Sequence, residues 1–135
     1  MKTNFLCEKG VVGPLRSGMQ RAEVRCVLGG YNEFKKSPFS QNTTDEFLNS
    51  GLHVFYSPDE LIKGVELFPD VGALFKGDDL FSFKLAGLMK FLDCHGIGYK
   101  FGDVGIKIVE VGIRIYSSDM NESCEASIES VYIEL

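Results

Sequence analysis

Two stretches of the chain space their apolar residues as a helix does, and most of the remainder alternates as strands do. The first helix is predicted over residues 20–28, with Met19, Val24, Val27 and Leu28 on one face and Gly29-Gly30 as its stop. Arg21, Glu23 and Arg25 fall mostly on the outer face. The second is predicted over residues 82–93, with Leu85, Leu88, Met89 and Leu92 inward, Ser82 as N-cap and Gly96 just past the end. Alternation predicts strands over residues 52–57 and 62–68, flanking a turn at Pro58-Asp59-Glu60-Leu61, and over residues 105–111, 113–117 and 127–135. Residues 31–34 offer a further strand. The segment 35–50 is rich in Ser, Asn, Thr and Asp and reads as an exposed connection, and 119–125 reads as a long polar hairpin loop.

The two halves of this pattern match each other. Gly51-Leu52-His53-Val54-Phe55 aligns without a gap to Gly112-Ile113-Arg114-Ile115-Tyr116. Gly13, Met19, Val24 and Leu28 align to Gly77, Phe83, Leu88 and Leu92, and Ile62, Val65 and Leu67 to Ile128, Val131 and Ile133. Matches in the same order point to an internal duplication. The expected architecture is therefore an α+β domain over residues 1–135. It consists of two tandem helix-plus-antiparallel-sheet units, about 10–70 and about 74–135, with the helices packed on one face of the sheet.

Within the strands, period two sorts side chains by face. Leu52, Val54, Val65, Leu67, Ile113, Ile115, Val131 and Ile133 face the helices. The opposite face then carries His53, Phe55 and Glu66 from the first half and Arg114, Tyr116, Tyr132 and Glu134 from the second. Aromatic rings beside charged groups are the mixture found at the centres of protein interfaces. It also serves cross-strand packing on a wet sheet. These seven residues are the candidate partner-binding set.

Composition narrows the functional classes. A chain of 135 residues with 44% hydrophobic residues and a mean hydropathy of +0.02 can bury a core without metal or disulfide staples. No apolar run approaches membrane-spanning length, and the first residues hold no apolar stretch of signal-peptide size, so a cytoplasmic location is expected. Cys7, Cys26, Cys94 and Cys124 form no CxxC pair and are expected to be reduced and unligated, with Cys26 packed inside its helix. The net charge of −5, from 19 acidic and 14 basic residues, disfavours nucleic acid and mildly favours a basic partner. Gly10-Val11-Val12-Gly13 lacks phosphate-loop spacing. Asp59-Glu60 and Asp78-Asp79 read as solvated turn carboxylates, and His95 as a helix C-terminal cap. No catalytic set, cofactor or metal site emerges, and the expectation is a binding protein without enzymatic activity.

The run Gly13-Pro14-Leu15-Arg16-Ser17-Gly18-Met19, followed by Val24 and Leu28-Gly29, resembles the helix opening of BamE/SmpA-type lipoproteins. It is also similar to the fold of the β-lactamase inhibitor protein, in which tandem helix-plus-sheet repeats grip a protein partner. The chain departs from the lipoproteins in having no signal peptide or lipobox, so their envelope role is not implied. The stretch through Lys36-Ser37-Pro38, Thr44-Asp45-Glu46-Phe47 and Gly51-Leu52-His53-Val54-Phe55-Tyr56 looks like small bacterial proteins of the immunity type, which accompany contact-dependent inhibition and other polymorphic toxin systems. That resemblance implies a cytoplasmic immunity protein, monomeric or weakly dimeric. It would neutralise a cognate toxin domain, a basic nuclease being the natural complement, with neither nucleic acid nor membrane as partner. A small-molecule-binding or enzymatic α+β domain is the alternative, with a pocket between the sheet units. Function has to be argued from the site in either case.

Overall fold

Alternating runs such as Ile113-Arg114-Ile115-Tyr116 and Val131-Tyr132-Ile133-Glu134 build the molecule. Each hides its Ile and Val side chains and turns its polar and aromatic ones outward. The computed structural model describes residues 4–102, 104–118 and 125–135. Among the described residues, thirteen strands and two α-helices follow one another. They are β1 (Phe5–Glu8), β2 (Val11–Val12), β3 (Leu15–Arg16), α1 (Arg21–Leu28), β4 (Tyr31–Phe34), β5 (Thr44–Phe47), β6 (His53–Tyr56), β7 (Ile62–Leu67), β8 (Ala73–Phe75), β9 (Asp78–Asp79), α2 (Leu85–Cys94), β10 (Lys100–Phe101), β11 (Gly105–Ile108), β12 (Ile113–Tyr116) and β13 (Ser130–Glu134). A five-stranded sheet has the order β3-β2-β1-β8-β9, and an eight-stranded antiparallel sheet the order β10-β11-β12-β13-β7-β6-β5-β4.

The expected α+β architecture of two helix-plus-sheet units with helices laid on one sheet face does not hold. The described residues are mostly β, with 40% in strands against 19% helical, two α-helices, and two sheets in place of one. The cause lies in segments to which the sequence pattern assigned no element. β1 from the start of the chain pairs in parallel with β8 from its middle, Phe5 beside Ala73 and Leu6 beside Leu74. That pairing builds a second sheet from the first strand and the start of the second half. The second sheet contributes Phe5, Cys7, Val12, Leu15, Ala73 and Phe75 to the single buried cluster, leaving less for the helices to cover. In α1, Val24 is the only fully buried apolar side chain, while Val27 is 51% exposed. α2 buries Leu85, Leu88 and Leu92.

Correspondence between the halves shows at the helix starts, where the Gln20–Leu61 bridge before α1 is matched by Lys84–Ser127 before α2, and in the strand pairing. His53 faces Glu66, Val54 faces Val65 and Phe55 faces Gly64 across β6 and β7. Their sequence counterparts repeat this register across β12 and β13, where Arg114 faces Tyr132, Ile115 faces Val131 and Tyr116 faces Ser130. β7 and β13 meet at the centre of the large sheet, Glu66 against Tyr132.

Several local expectations are also revised. α2 is preceded by Lys84 as N-cap, and Ser82 ends a 3-10 turn over Leu80–Ser82 in which the Phe81 N–H donates to the Asp79 carboxylate. The Asp78-Asp79 pair is strand β9, not a turn. β11 stops at Ile108, where a 3-10 turn over Val109–Val111 begins, and β13 starts only at Ser130. The segment 35–50 is not simply an exposed connection, since it contains β5 with Thr44, Asp45 and Phe47 buried. Most of the loop expected over 119–125, including Glu122 and Cys124, lies outside the described residues. Among the described residues no helix is long and apolar enough to cross a membrane.

Candidate functional site

The inner face of the eight-stranded sheet is closed by the core. Leu52, Val54, Val65, Leu67, Ile113, Ile115, Val131 and Ile133 are all essentially inaccessible, as alternation predicts. The opposite face keeps its polar residues in one lateral row. Lys107 of β11 stands beside Arg114 of β12, Arg114 beside Tyr132 of β13, Tyr132 beside Glu66 of β7, Glu66 beside His53 of β6, and His53 beside Glu46 of β5.

A hollow of about 500 Å³ opens on this face over the β7–β13 seam. Six of the seven candidate residues line it: Phe55, Glu66, Arg114, Tyr116, Tyr132 and Glu134. Phe55 and Tyr132 meet edge to face with ring centroids 5.6 Å apart, a geometry that gains beyond simple burial. Tyr132 lies over Gly64, where a methyl group would overlap its ring and hydroxyl. Gly64 is therefore a recess made for that ring rather than a flexible point. Burial first, and the nearby Glu134 charge second, push the Tyr132 phenol up to about 12. The site thus presents a neutral hydroxyl at physiological pH.

His53 takes another place. Its ring sits edge-on between Phe34 and Phe68, at centroid distances of 5.3 and 4.9 Å, and its Nε2 lies 3.4 Å from a Glu46 oxygen. It belongs to the same cross-strand row but does not line the hollow. Its buried Nδ1 has no hydrogen-bond partner among the described residues and stands 3.8 Å from Glu66.

Two lining residues escaped the reading of the sequence. Lys36 folds in from the segment after β4, donating to Glu66 at 2.9 Å with its Nζ 5.4 Å from the Phe55 ring centre. Lys63 enters through a bulge. Phe55 faces Gly64 but Tyr56 faces Ile62, so Lys63 is the extra residue of β7. Strict alternation assigns Lys63 to the core side, and the bulge re-aims it onto the open face. With Arg114 the hollow holds three cations against two carboxylates, within a chain of net charge −5. Glu66 is satisfied by Lys36, whereas Lys63, Arg114 and Glu134 make no ion pair among the described residues.

A second polar cluster is built quite differently. Asp45 of β5 is wholly buried and accepts from Arg25 Nε at 2.8 Å and a terminal Arg25 nitrogen at 2.9 Å, with the Tyr56 hydroxyl donating to it at 2.9 Å. Arg21 donates to the Thr43 carbonyl at 2.7 Å and pairs with Glu60 at 3.2 Å. The two guanidiniums also lie over the Tyr56 and Tyr31 rings, at 4.1 and 4.0 Å from the centroids. Hydrogen bonding to Asp45 raises the Arg25 pKa further, and burial followed by the Asp45 bond raises that of Tyr56. Hydrogen bonds from Thr43 and Arg25 hold the Glu33 carboxyl below its usual range. Arg21 was expected on the outer face of its helix and is instead 8% exposed. A cleft of about 660 Å³ runs beside this cluster, but its arginines are already paired, Arg25 with buried Asp45 and Arg21 with Glu60 at the cleft wall. The cluster ties α1 to β5 and leaves little charge to offer a ligand.

The remaining candidates stay apart. Cys7 is buried, and burial followed by the Asp79 charge pushes its thiol up to about 12, which makes it inert. Cys26 and Cys94 are free and exposed, so Cys26 does not pack inside its helix as expected. The His95 ring nitrogen Nδ1 lies 2.9 Å from the Phe91 carbonyl at the end of α2, the capping position expected. Among the described residues no group of three His, Cys, Asp or Glu gathers as metal ligands. No protein-family model, curated protein or solved structure matches the chain.

Proposed function

We propose that this chain is a cytoplasmic binding protein of the immunity type, which neutralises a toxin domain by seating it on the open face of the eight-stranded sheet. One observation carries the reading. Phe55, Tyr116 and Tyr132 converge on a hollow at the sheet centre together with Lys63, Arg114 and Glu134, which form no ion pair among the described residues. Rigid aromatics surrounded by polar residues are what interface hot spots consist of. The face is broad and open, as a macromolecular partner requires. The hollow's volume also falls in the range of small-ligand sites, and this favours a small organic ligand as the second reading.

The decisive test uses the Phe55→Ala, Tyr116→Ala, Tyr132→Ala variant and the toxin domain encoded next to this gene. Removing true anchors weakens binding by at least about thirtyfold, since each contributes about 2 kcal/mol or more. Thermal unfolding of the same variant establishes that it is folded. Undiminished binding by the folded variant removes this face from consideration. A small molecule that co-purifies with the wild type and not with the variant supports the second reading.

A further inference from the structure

The lateral row of the open face ends in three cations. Lys100 of β10 stands directly opposite Lys107 of β11, and Lys107 directly opposite Arg114 of β12. None of the three has an ion pair among the described residues, although carboxylates outnumber cations in the chain. Like charges directly opposite one another destabilise a sheet. A run of them at a strand edge therefore weakens the free protein, and an anion bound across the row would remove that penalty. Lys63, turned to the same face by the bulge, adds a cation at the hollow itself.

Apolar surface lies beside this row. A smaller hollow of about 140 Å³ between β11 and β12 shares Arg114 and Tyr116 with the central one, and it adds Lys107 and the half-exposed Val104. A side chain entering it meets Tyr116 and Val104 while its neighbours pass the guanidinium. The net charge of −5 and the carboxylates Glu66 and Glu134 in the hollow oppose a polyanionic backbone such as nucleic acid. A short segment with a few carboxylates and an interspersed ring meets less of that opposition, because it carries fewer charges and can set them over Arg114 and Lys107, away from Glu66 and Glu134.

We propose that the segment docking here is an acidic stretch of a protein partner, whose carboxylates pair with Arg114 and Lys107 and whose aromatic or aliphatic side chain packs on Tyr116 and Val104. The inference rests on the docking reading above and reverses the sign of partner expected from overall charge. Glu66 cannot serve as the main anchor for a basic partner, because Lys36 already holds it.

Two measurements on the full chain test it. Lys107→Gln relieves the repulsion, so it should melt a few degrees above wild type at low salt, with the gap closing as salt screens the row. A lower melting temperature for Lys107→Gln would overturn the argument from repulsion. Fluorescence anisotropy then compares three labelled probes: a short peptide of alternating Glu and Tyr, the same peptide with Lys for Glu, and an oligothymidylate. The Glu–Tyr peptide should bind best, shift the backbone amides of β11 to β13 in NMR spectra, and bind at least about tenfold more weakly to Arg114→Gln, Lys107→Gln. No binding of that peptide, an unchanged affinity in the double variant, or preference for the oligothymidylate would each overturn the proposal. Preference for the Lys–Tyr peptide, abolished in the aromatic triple variant, would overturn the acidic segment yet leave docking on this face standing. Loss of the docking reading itself would be seen only with the toxin domain and the aromatic variant.

Discussion

The two charged clusters of this molecule sit on the same large sheet and use the same residue types, yet they have opposite economies. Around Asp45 each charge has an ionic partner: two arginines and a tyrosine close on a buried carboxylate, Thr43, Glu33 and Glu60 take further donors, and Arg21 Nε stands 3.9 Å from Asp45 without a hydrogen bond among the described residues. On the open face over β7 and β13, Lys36 and Glu66 pair, but Lys63, Lys107, Arg114 and Glu134 stand without ionic partners among the described residues. A closed network stabilises mainly because opening it would strand buried charge. An open one is tolerated in water at small cost and remains available to a ligand. Number of charges, or size of the nearby cleft, does not separate the two cases. Completeness of pairing does.

The largest expected effect tests the closed cluster. Asp45→Ala leaves two arginines without their shared carboxylate and should lower unfolding free energy by about 3–5 kcal/mol in denaturant titrations. A loss below about 1 kcal/mol would mean that the cluster behaves as a solvated surface network, and the contrast would collapse. Next comes the helical contribution. Leu92→Ala in α2, fully buried, should cost about 2–5 kcal/mol, and Leu28→Ala in α1, only partly buried, less than half as much. Equal losses would show that α1 covers the core as fully as α2 does.

Smaller changes sharpen the picture of the open face. Gly64→Ala pushes against the Tyr132 ring and should cost about 1–3 kcal/mol while displacing the hollow's floor, measurable by unfolding and by the ring's NMR shifts. The smallest effect is alkaline. Unfolded tyrosine loses its proton near pH ~10, whereas folded Tyr132 holds it to about 12. The folded state carries the extra proton between those values, so this contribution is complete below the lower one and is lost as pH rises through the upper one. Tyr132→Phe should flatten that part of the stability profile relative to wild type. An identical alkaline decline in both proteins would assign it to other groups, Tyr56 first among them.

What the sequence determined by itself is the local periodicity and its consequences. Alternation separated Val54, Val65, Ile115 and Val131 from Phe55, Glu66, Tyr116 and Tyr132 because a strand's side chains must leave on opposite sides, whatever the strand pairs with. α1 and α2 were legible from spacing for the same reason, as was the Gly29 stop with its positive φ of 84°. Tertiary structure decided everything that depends on a distant partner. The parallel pairing of β1 with β8, which creates a second sheet and dissolves the two-unit architecture, joins short segments with too few residues to show a period. β5 was missed because Thr44, Asp45 and Glu46 look solvated until Arg21, Arg25 and Tyr56 arrive from elsewhere to satisfy Asp45. Lys63 reached the hollow only because a bulge broke the strict alternation that its neighbours obey, and a bulge is settled by pairing across strands, which no single strand contains.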